Sequence, residues 1–316
     1  MSRVAIPGER KLSGDLSQVK RVHAVLGAGG VGAFLGAALA RGGHDVLLVM
    51  REESLARYDG VVHVESALLG DFDAEVPATA TLDRPVDVLW LTPKATQLAG
   101  ALERAPDQDG MVVVPLLNGL DHVELLRRQF GAVLPASIAI ESERVHPGVV
   151  RQLSNFAVAR LSPHPRAEKL REELDNAGLD ASIGKSEADV LWRKLGMLAP
   201  IALTTTLHGT PLGVVVGDPA WRARLEACVR EIATTAQAEG VEIDADALVA
   251  RIVGFPADLR SSMQKDREAG KPTEIDAIGG SILRAAARHG LDAPTTRELV
   301  DGIRAGEPLG GGDLGR

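Results

Sequence analysis

The chain has 316 residues, 45% of them apolar, and its 43 acidic against 35 basic side chains give a net charge of −8. That length is too great for one compact core and suits two domains, and the scattered Lys and Arg argue against a nucleic-acid partner, which needs a concentrated basic face. No apolar run reaches the roughly 18 residues needed to cross a bilayer, and the single cysteine, Cys228, excludes an intramolecular disulfide and suits a reducing, cytoplasmic setting.

Met1 to Lys20 mixes charges with Gly and Pro and has no apolar h-region, so it reads as a disordered extension and not as a signal peptide. The apolar run Val22 to Leu26 ends at Gly27, and a helical stretch follows from Gly30 to Arg41, stopped by Gly42 and Gly43. Val46 to Met50, Val86 to Thr92 and Met111 to Leu117 read as further buried strands, with helices over Ala95 to Ala105 and Asp121 to Phe130. Apolar strands alternating with helices predict a parallel sheet covered on both faces, the α/β doubly wound sheet of a Rossmann domain. From Ala132 to Leu161 strands without helices, such as Ser137 to Ile140 and Ala157 to Leu161, predict an antiparallel edge to that sheet.

Beyond Gly184 to Ser186 the strand patterns stop. Ser186 and Glu187 can cap a helix through Trp192 and Lys194 to about His208, with Gly209 as its stop. Asp218 and Pro219 form an N-cap and N1 pair for a helix ending at Gly240. Pro256 and Gly270 bracket a third helix, and Glu274 to His289 gives a fourth, closed by Gly290. The expected organisation is therefore a Rossmann domain over 21–185, an all-helical domain over 186–304, and a disordered tail over 305–316.

Gly27-Ala28-Gly29-Gly30-Val31-Gly32 fits G-x-G-x-x-G, and it leaves an apolar strand, opens a helix and precedes a second strand. In that context Gly27 makes the tight turn, Gly29 lets backbone approach a pyrophosphate, and Gly32 allows close helix–strand packing. The N–H groups from Gly30 onward can then bind phosphate. The alternative is a Gly-rich turn in another α/β fold. At the end of the second strand an NAD site places a carboxylate for the ribose 2′-OH, whereas an NADP site favours a cation for the 2′-phosphate. This chain has Met50-Arg51 there, and the Arg51 guanidinium suits a phosphate. The alternative is a solvated surface arginine.

Lys194 precedes Leu198 by four residues and Ala202 by eight, so it lies along a mostly apolar helical stripe, either snorkelling to the surface or held in a cleft. Glu274, opening a later helix, is a candidate partner. The eight histidines lie far apart without an H-x-x-x-H pair, so no metal site is expected.

Gly27-x-Gly29-x-x-Gly32, Thr92-Pro93-Lys94, Leu117-Asn118-Gly119, Leu191-Trp192-Arg193-Lys194-Leu195, Ser261-Ser262-Met263 and Thr273-Glu274-Ile275-Asp276 occur in the order and approximate spacing of ketopantoate reductases. The chain resembles that family from Arg21 to about Arg304. The resemblance implies an NADPH-dependent oxidoreductase acting on a 2-oxo acid or related carbonyl, in pantothenate biosynthesis. It implies Lys194 as general acid, Glu274 as the carboxylate orienting substrate and lysine, and Ser262 as the hydroxyl that binds the substrate carboxylate. By the same resemblance Lys94 and Asn118 hold the cofactor and close on the nicotinamide side, and Arg51 is the 2′-phosphate ligand. Where the family carries asparagines along the lysine helix and in the loop beyond, this chain has Leu198, Ala202 and Leu212. Leu198 and Ala202 are expected to line the substrate cleft, which points to a substrate with an apolar body, less polar than ketopantoate. NADPH reduction of an imine or apolar ketone on the same scaffold, and a non-catalytic NADP-binding sensor, are the alternative readings. An exposed apolar face in the helical domain would suit a homodimer.

Overall fold

The computed structural model describes residues 21–306, so the expected extension over 1–20 and the tail from 307 onward lie outside the described residues. The first half contains β1 (Val22–Leu26), α1 (Gly30–Arg41), β2 (Asp45–Val49), α2 (Glu52–Leu55), β3 (Val61–Ser66), β4 (Phe72–Glu75), β5 (Ala78–Thr79), β6 (Val88–Leu91), α3 (Leu98–Leu102), β7 (Val112–Pro115) and α4 (His122–Arg127). It continues through β8 (Ala136–Ala139), β9 (Ser142–His146), β10 (Val149–Gln152), β11 (Val158–Leu161), α5 (Ala167–Asn176) and β12 (Asp180–Ile183). The rest is helical: α6 (Glu187–His208), α7 (Leu212–Gly217), α8 (Pro219–Ala238), α9 (Ala245–Val253), α10 (Ser262–Glu268), α11 (Ser281–Arg288) and α12 (Pro294–Ala305).

A five-stranded parallel sheet in the order β5-β2-β1-β6-β7 forms the centre of the first half. Every residue of β6 and β7 is buried, as strands covered on both faces require. On one face α3 and α4 press Leu98, Leu102 and Leu126 into a core with Leu26, Val49, Leu89 and Val113. On the other lies α1, and Phe34, Leu35, Ala37 and Leu39 are all fully buried although they point in different directions. A helix that is apolar all round needs cover all round, and a second sheet, β4-β3-β10-β9, supplies it.

That second sheet corrects the expected antiparallel edge. β8 and β11 do pair antiparallel, but with β12 they form a separate three-stranded sheet, joined to the central one by a single parallel bridge, Val113–Val133. β9 and β10 leave them to cover α1 together with β3 and β4. In β3 the inward residues Val62, Val64 and Ser66 alternate with outward His63 and Glu65, the period of a half-buried strand.

In the helical half α6 is the central element. Ser186 Oγ accepts from the Asp189 N–H (3.1 Å) at its start, and Gly209 ends it in the left-handed conformation (φ 78°). α8, α10 and α12 pack around it over Trp192, Leu203, Val229, Ile232 and Leu299. The segment from Glu274 to His289 is not one regular helix. A π-helical turn over Asp276–Gly280 leads into α11 and begins two residues after Glu274. No described helix is long and apolar enough to cross a membrane.

Candidate active site

β1 runs straight into the Gly-rich loop. Gly27 takes φ 101°, and a side chain there would strike the backbone of Pro93 (2.8 Å). Gly32 lies against the Gly27 carbonyl and Thr92 Oγ1, leaving no room for a β-carbon. Thr92 Oγ1 donates to that carbonyl (2.7 Å) and so pins the loop to the end of β6. Gly29, the N-cap of α1, has open space where a side chain would be. Gly30 packs on the backbone of Ser142 and Glu143, so β9 crosses the helix start. A closed turn, one open face and free N–H groups at the start of a helix fit a dinucleotide pyrophosphate. Arg51 stands at the carboxyl end of β2, exposed and without an ion pair among the described residues.

On the other side of the sheet, loops after β6 and β7 meet the helical half. Glu274 is 8% exposed, and its two carboxylate oxygens accept from the Ala95 N–H (2.9 Å) and Asn118 Nδ2 (3.1 Å). Lys94, one residue before Ala95, forms an ion pair with Asp266 of α10. Gly119 takes φ 88° and lies against the carbonyl of Ala277 in the π-helical turn, so only glycine fits there. Asn118 and Glu274 are thereby brought together; Lys194 of α6 makes no direct hydrogen bond to the carboxylate among the described residues but feels its charge. Burial pushes the Lys194 ammonium down to about 8, and the Glu274 carboxylate partly opposes that shift. His122, in the first turn of α4, is buried with both ring nitrogens unpartnered; burial and the Lys194 charge bring it down to about 4.

The three residues read as substrate contacts part company. Ser262 is exposed at the start of α10, while Ser261 is the N-cap, accepting from the Gln264 N–H (3.1 Å) and bonded to Thr205 Oγ1 (2.9 Å). Leu198 is partly buried at the edge of the helical core. Ala202 has no accessible surface and belongs to that core, as does Leu212. This corrects the expected cleft wall. With 3.6 residues per turn, each four-residue step overshoots by about 40°, so a residue eight positions beyond Lys194 has rotated inward.

Sequence spacing did not bring forward His122, Asp266 or Arg144 of β9. Asp266 lies one helical turn beyond Ser262, a spacing that places both near one face of α10; nothing local marks Arg144. Nor did spacing reveal that His23, His44 and Glu173 converge near the amino end of the central sheet, their potential ligand atoms within 4.8 Å of one another. Trp90 Nε1 donates to His23 Nδ1 (3.1 Å), which puts the proton of the neutral ring on Nε2, facing Glu173 Oε2 at 3.6 Å. In that tautomer His23 points its N–H at the carboxylate, and a metal ion there would have to displace this proton. Burial, His44 and Arg21 lower His23 to about 3 and keep it neutral.

A Gly-rich strand–turn–helix loop of the dinucleotide type, packed beside a helical half that carries a part-buried lysine and a buried carboxylate, is the arrangement of a Rossmann-type domain joined to a helical one. Residues 23–161 match the family model "Ketopantoate reductase PanE/ApbA", and residues 188–307 match "Ketopantoate reductase PanE/ApbA C terminal". The chain is 32% identical over 288 residues to a 2-dehydropantoate 2-reductase of Mycobacterium tuberculosis H37Rv, covering 88% of this chain and 95% of that one. A PanE/ApbA family ketopantoate reductase from Ralstonia eutropha JMP134 superposes with a TM-score of 0.82 at 25% identity, covering 90% and 97% of the two chains. A D-mandelate dehydrogenase solved with NADH and anilino(oxo)acetate shares the fold, with a TM-score of 0.81 at 21% identity and coverage of 90% and 97%. This chain belongs to the ketopantoate reductase family.

Proposed function

We propose that this protein is an NADPH-dependent reductase of 2-oxo acids, with Lys194 as the general acid and Glu274 as the carboxylate that orients it. The observation that carries the reading is the placement of Lys194: an ammonium with its pKa near 8, beside a carboxylate held by the loops after β6 and β7. A general acid works best when its pKa lies close to the operating pH. When bound, the nicotinamide supplies hydride to the substrate carbonyl carbon. Lys194 would give its proton to the carbonyl oxygen and become a neutral amine, and Glu274 favours the ammonium form before that transfer. Ser262, exposed at the start of α10, is the hydroxyl offered to the substrate carboxylate. Lys94 and Asn118 stand on the nicotinamide side, and Arg51 takes the 2′-phosphate.

The test is Lys194→Ala against Arg193→Ala. Arg193 pairs with Asp189 in the first turn of α6 and points elsewhere. Loss of general acid catalysis should lower kcat about 100-fold or more for Lys194→Ala. NADPH binding, followed by its fluorescence, should be unchanged, and Arg193→Ala should retain most of its turnover. Equal losses in the two variants would overturn the assignment.

The substrate remains a 2-oxo acid in this reading, with an apolar wall contributed by Leu198 alone. That single side chain supports a body less polar than ketopantoate, because a substrate hydroxyl against it would lack a partner.

A further inference from the structure

Arginines elsewhere in the described chain are commonly matched to carboxylates: Arg84 with Asp45, Arg127 with Glu187, and Arg284 with both Asp121 and Asp276. Around Arg51 the pattern breaks. Arg51 and Arg57 form no ion pair among the described residues. Arg104, just beyond α3, forms none, and its Nη1 is buried without a hydrogen-bond partner. Arg144 reaches over from β9 of the second sheet, and its Nη1 makes only long contacts to the Ala28 carbonyl (3.4 Å) and Ser54 Oγ (3.5 Å). Arg51 caps the turn that carries Ser54, its carbonyl accepting from the Ser54 N–H (2.9 Å), so Arg144 reaches the same turn. Burial and then the Arg51 charge lower the proton affinity of both Arg104 and Arg144; Arg57 adds to the effect at Arg144. Among the described residues no carboxylate forms an ion pair with any of the four, although Glu52 and Glu53 follow Arg51 in the chain. Like charges gathered without a counter-ion repel one another, and a bound anion relieves that cost.

The position of the cluster narrows the anion. Ala28 belongs to the Gly-rich loop after β1, and Ser54 to α2 after β2, which is where a Rossmann domain meets the adenosine ribose. Lys194 and Glu274 face the loops after β6 and β7, on the other side of β1 in the strand order. The cluster therefore does not face the substrate carbonyl. We propose that Arg144 is a second arm of the 2′-phosphate site, closing on the phosphate opposite Arg51, with Arg104 and Arg57 adding positive field at its flanks. A phosphate monoester is close to a dianion at neutral pH and offers three acceptor oxygens, so two guanidinium forks suit it better than one. This inference rests on the NADPH reading above and extends it to a strand outside the nucleotide-binding sheet.

The experiment is calorimetric titration of the full chain with 2′,5′-ADP and with 5′-AMP, nucleotides that differ in the 2′-phosphate and need no turnover. The parent should bind 2′,5′-ADP at least about tenfold more tightly, the scale of one charge-assisted hydrogen bond. Arg144→Gln should lose about tenfold or more of that affinity and bind 5′-AMP as the parent does. Arg151→Gln, whose arginine is paired with Glu65 on the adjoining strand, should change neither. Arg144→Lys keeps the charge without the fork and should fall between parent and Gln, which also guards against a folding defect in the Gln variant. If Arg144→Gln binds 2′,5′-ADP like the parent while Arg51→Gln does not, the second arm is refuted and the NADPH reading stands. A parent that binds both nucleotides equally refutes both.

Discussion

The Gly-rich loop and the Lys194–Glu274 region, the two parts of the proposed site, are built on opposite principles. The loop is contiguous, from Gly27 to Gly32, and acts through backbone: what matters is where a β-carbon is absent and which N–H groups are free. The cleft is assembled from loops after β6 and β7, from α6, and from the turn before α11, and it acts through side chains whose chemistry depends on burial. In the loop the shape of the backbone at Gly27 and Gly32 matters most, whereas around Lys194 and Glu274 the charges and their burial matter most, Gly119 excepted.

The largest expected effects break this contrast at its two ends. Lys194→Met should abolish most turnover, by about 100-fold or more. It should also raise the thermal midpoint by about 2 to 4 °C, because a thioether bears no desolvation cost where the ammonium does. A calorimetric scan that shows the variant less stable would mean that the Lys194 charge supports the fold.

Next comes a pair of glycines. Gly32→Ala puts a methyl group into the Gly27 carbonyl and should cost roughly 1 to 3 kcal/mol of stability together with nucleotide binding. Gly29→Ala meets open space in the protein and should leave the melting temperature unchanged while weakening NADPH, whose pyrophosphate must approach there. Similar stability losses in both variants would remove the distinction between a packed and an open glycine.

The pH profile sharpens the assignment of the acid. Lys194 must carry its proton, and its pKa is lowered to about 8, so kcat/KM should be level below that value and fall as pH rises through it. In Lys194→Met the residual rate should lose this limb. A profile unchanged by the substitution would assign the limb to another group.

The smallest effects separate Leu198 from Ala202. Leu198→Asn, at the core edge, should shift preference severalfold toward 2-oxo acids bearing a hydroxyl at little cost in stability. Ala202→Asn buries an amide without partners and should destabilise by about 1 to 3 kcal/mol without any gain in that preference. Competition between hydroxylated and plain 2-oxo acids, read beside a melting curve, distinguishes the two.

Much of this was legible in the residue order because it depends on local geometry. The strand–turn–helix signal around Gly27, the caps Ser186 and Asp218, and the stops at Gly209 and Gly240 all follow from backbone sterics and hydrogen bonding within a few residues. The helix carrying Lys194 was fixed in the same way, and the ordered motifs marked the family before any coordinates. Tertiary structure decided the rest, because burial and charge depend on what packs from elsewhere in the chain. Only there does β9 leave the expected sheet edge to cover α1 and bring Arg144 over the nucleotide loop. Only there does Glu274 meet Ala95 and Asn118, and does α6 rotate Ala202 away from the cleft that its spacing suggested. A four-residue spacing gives a face to within some tens of degrees; which face becomes core is set by α8, α10 and α12 packed against it.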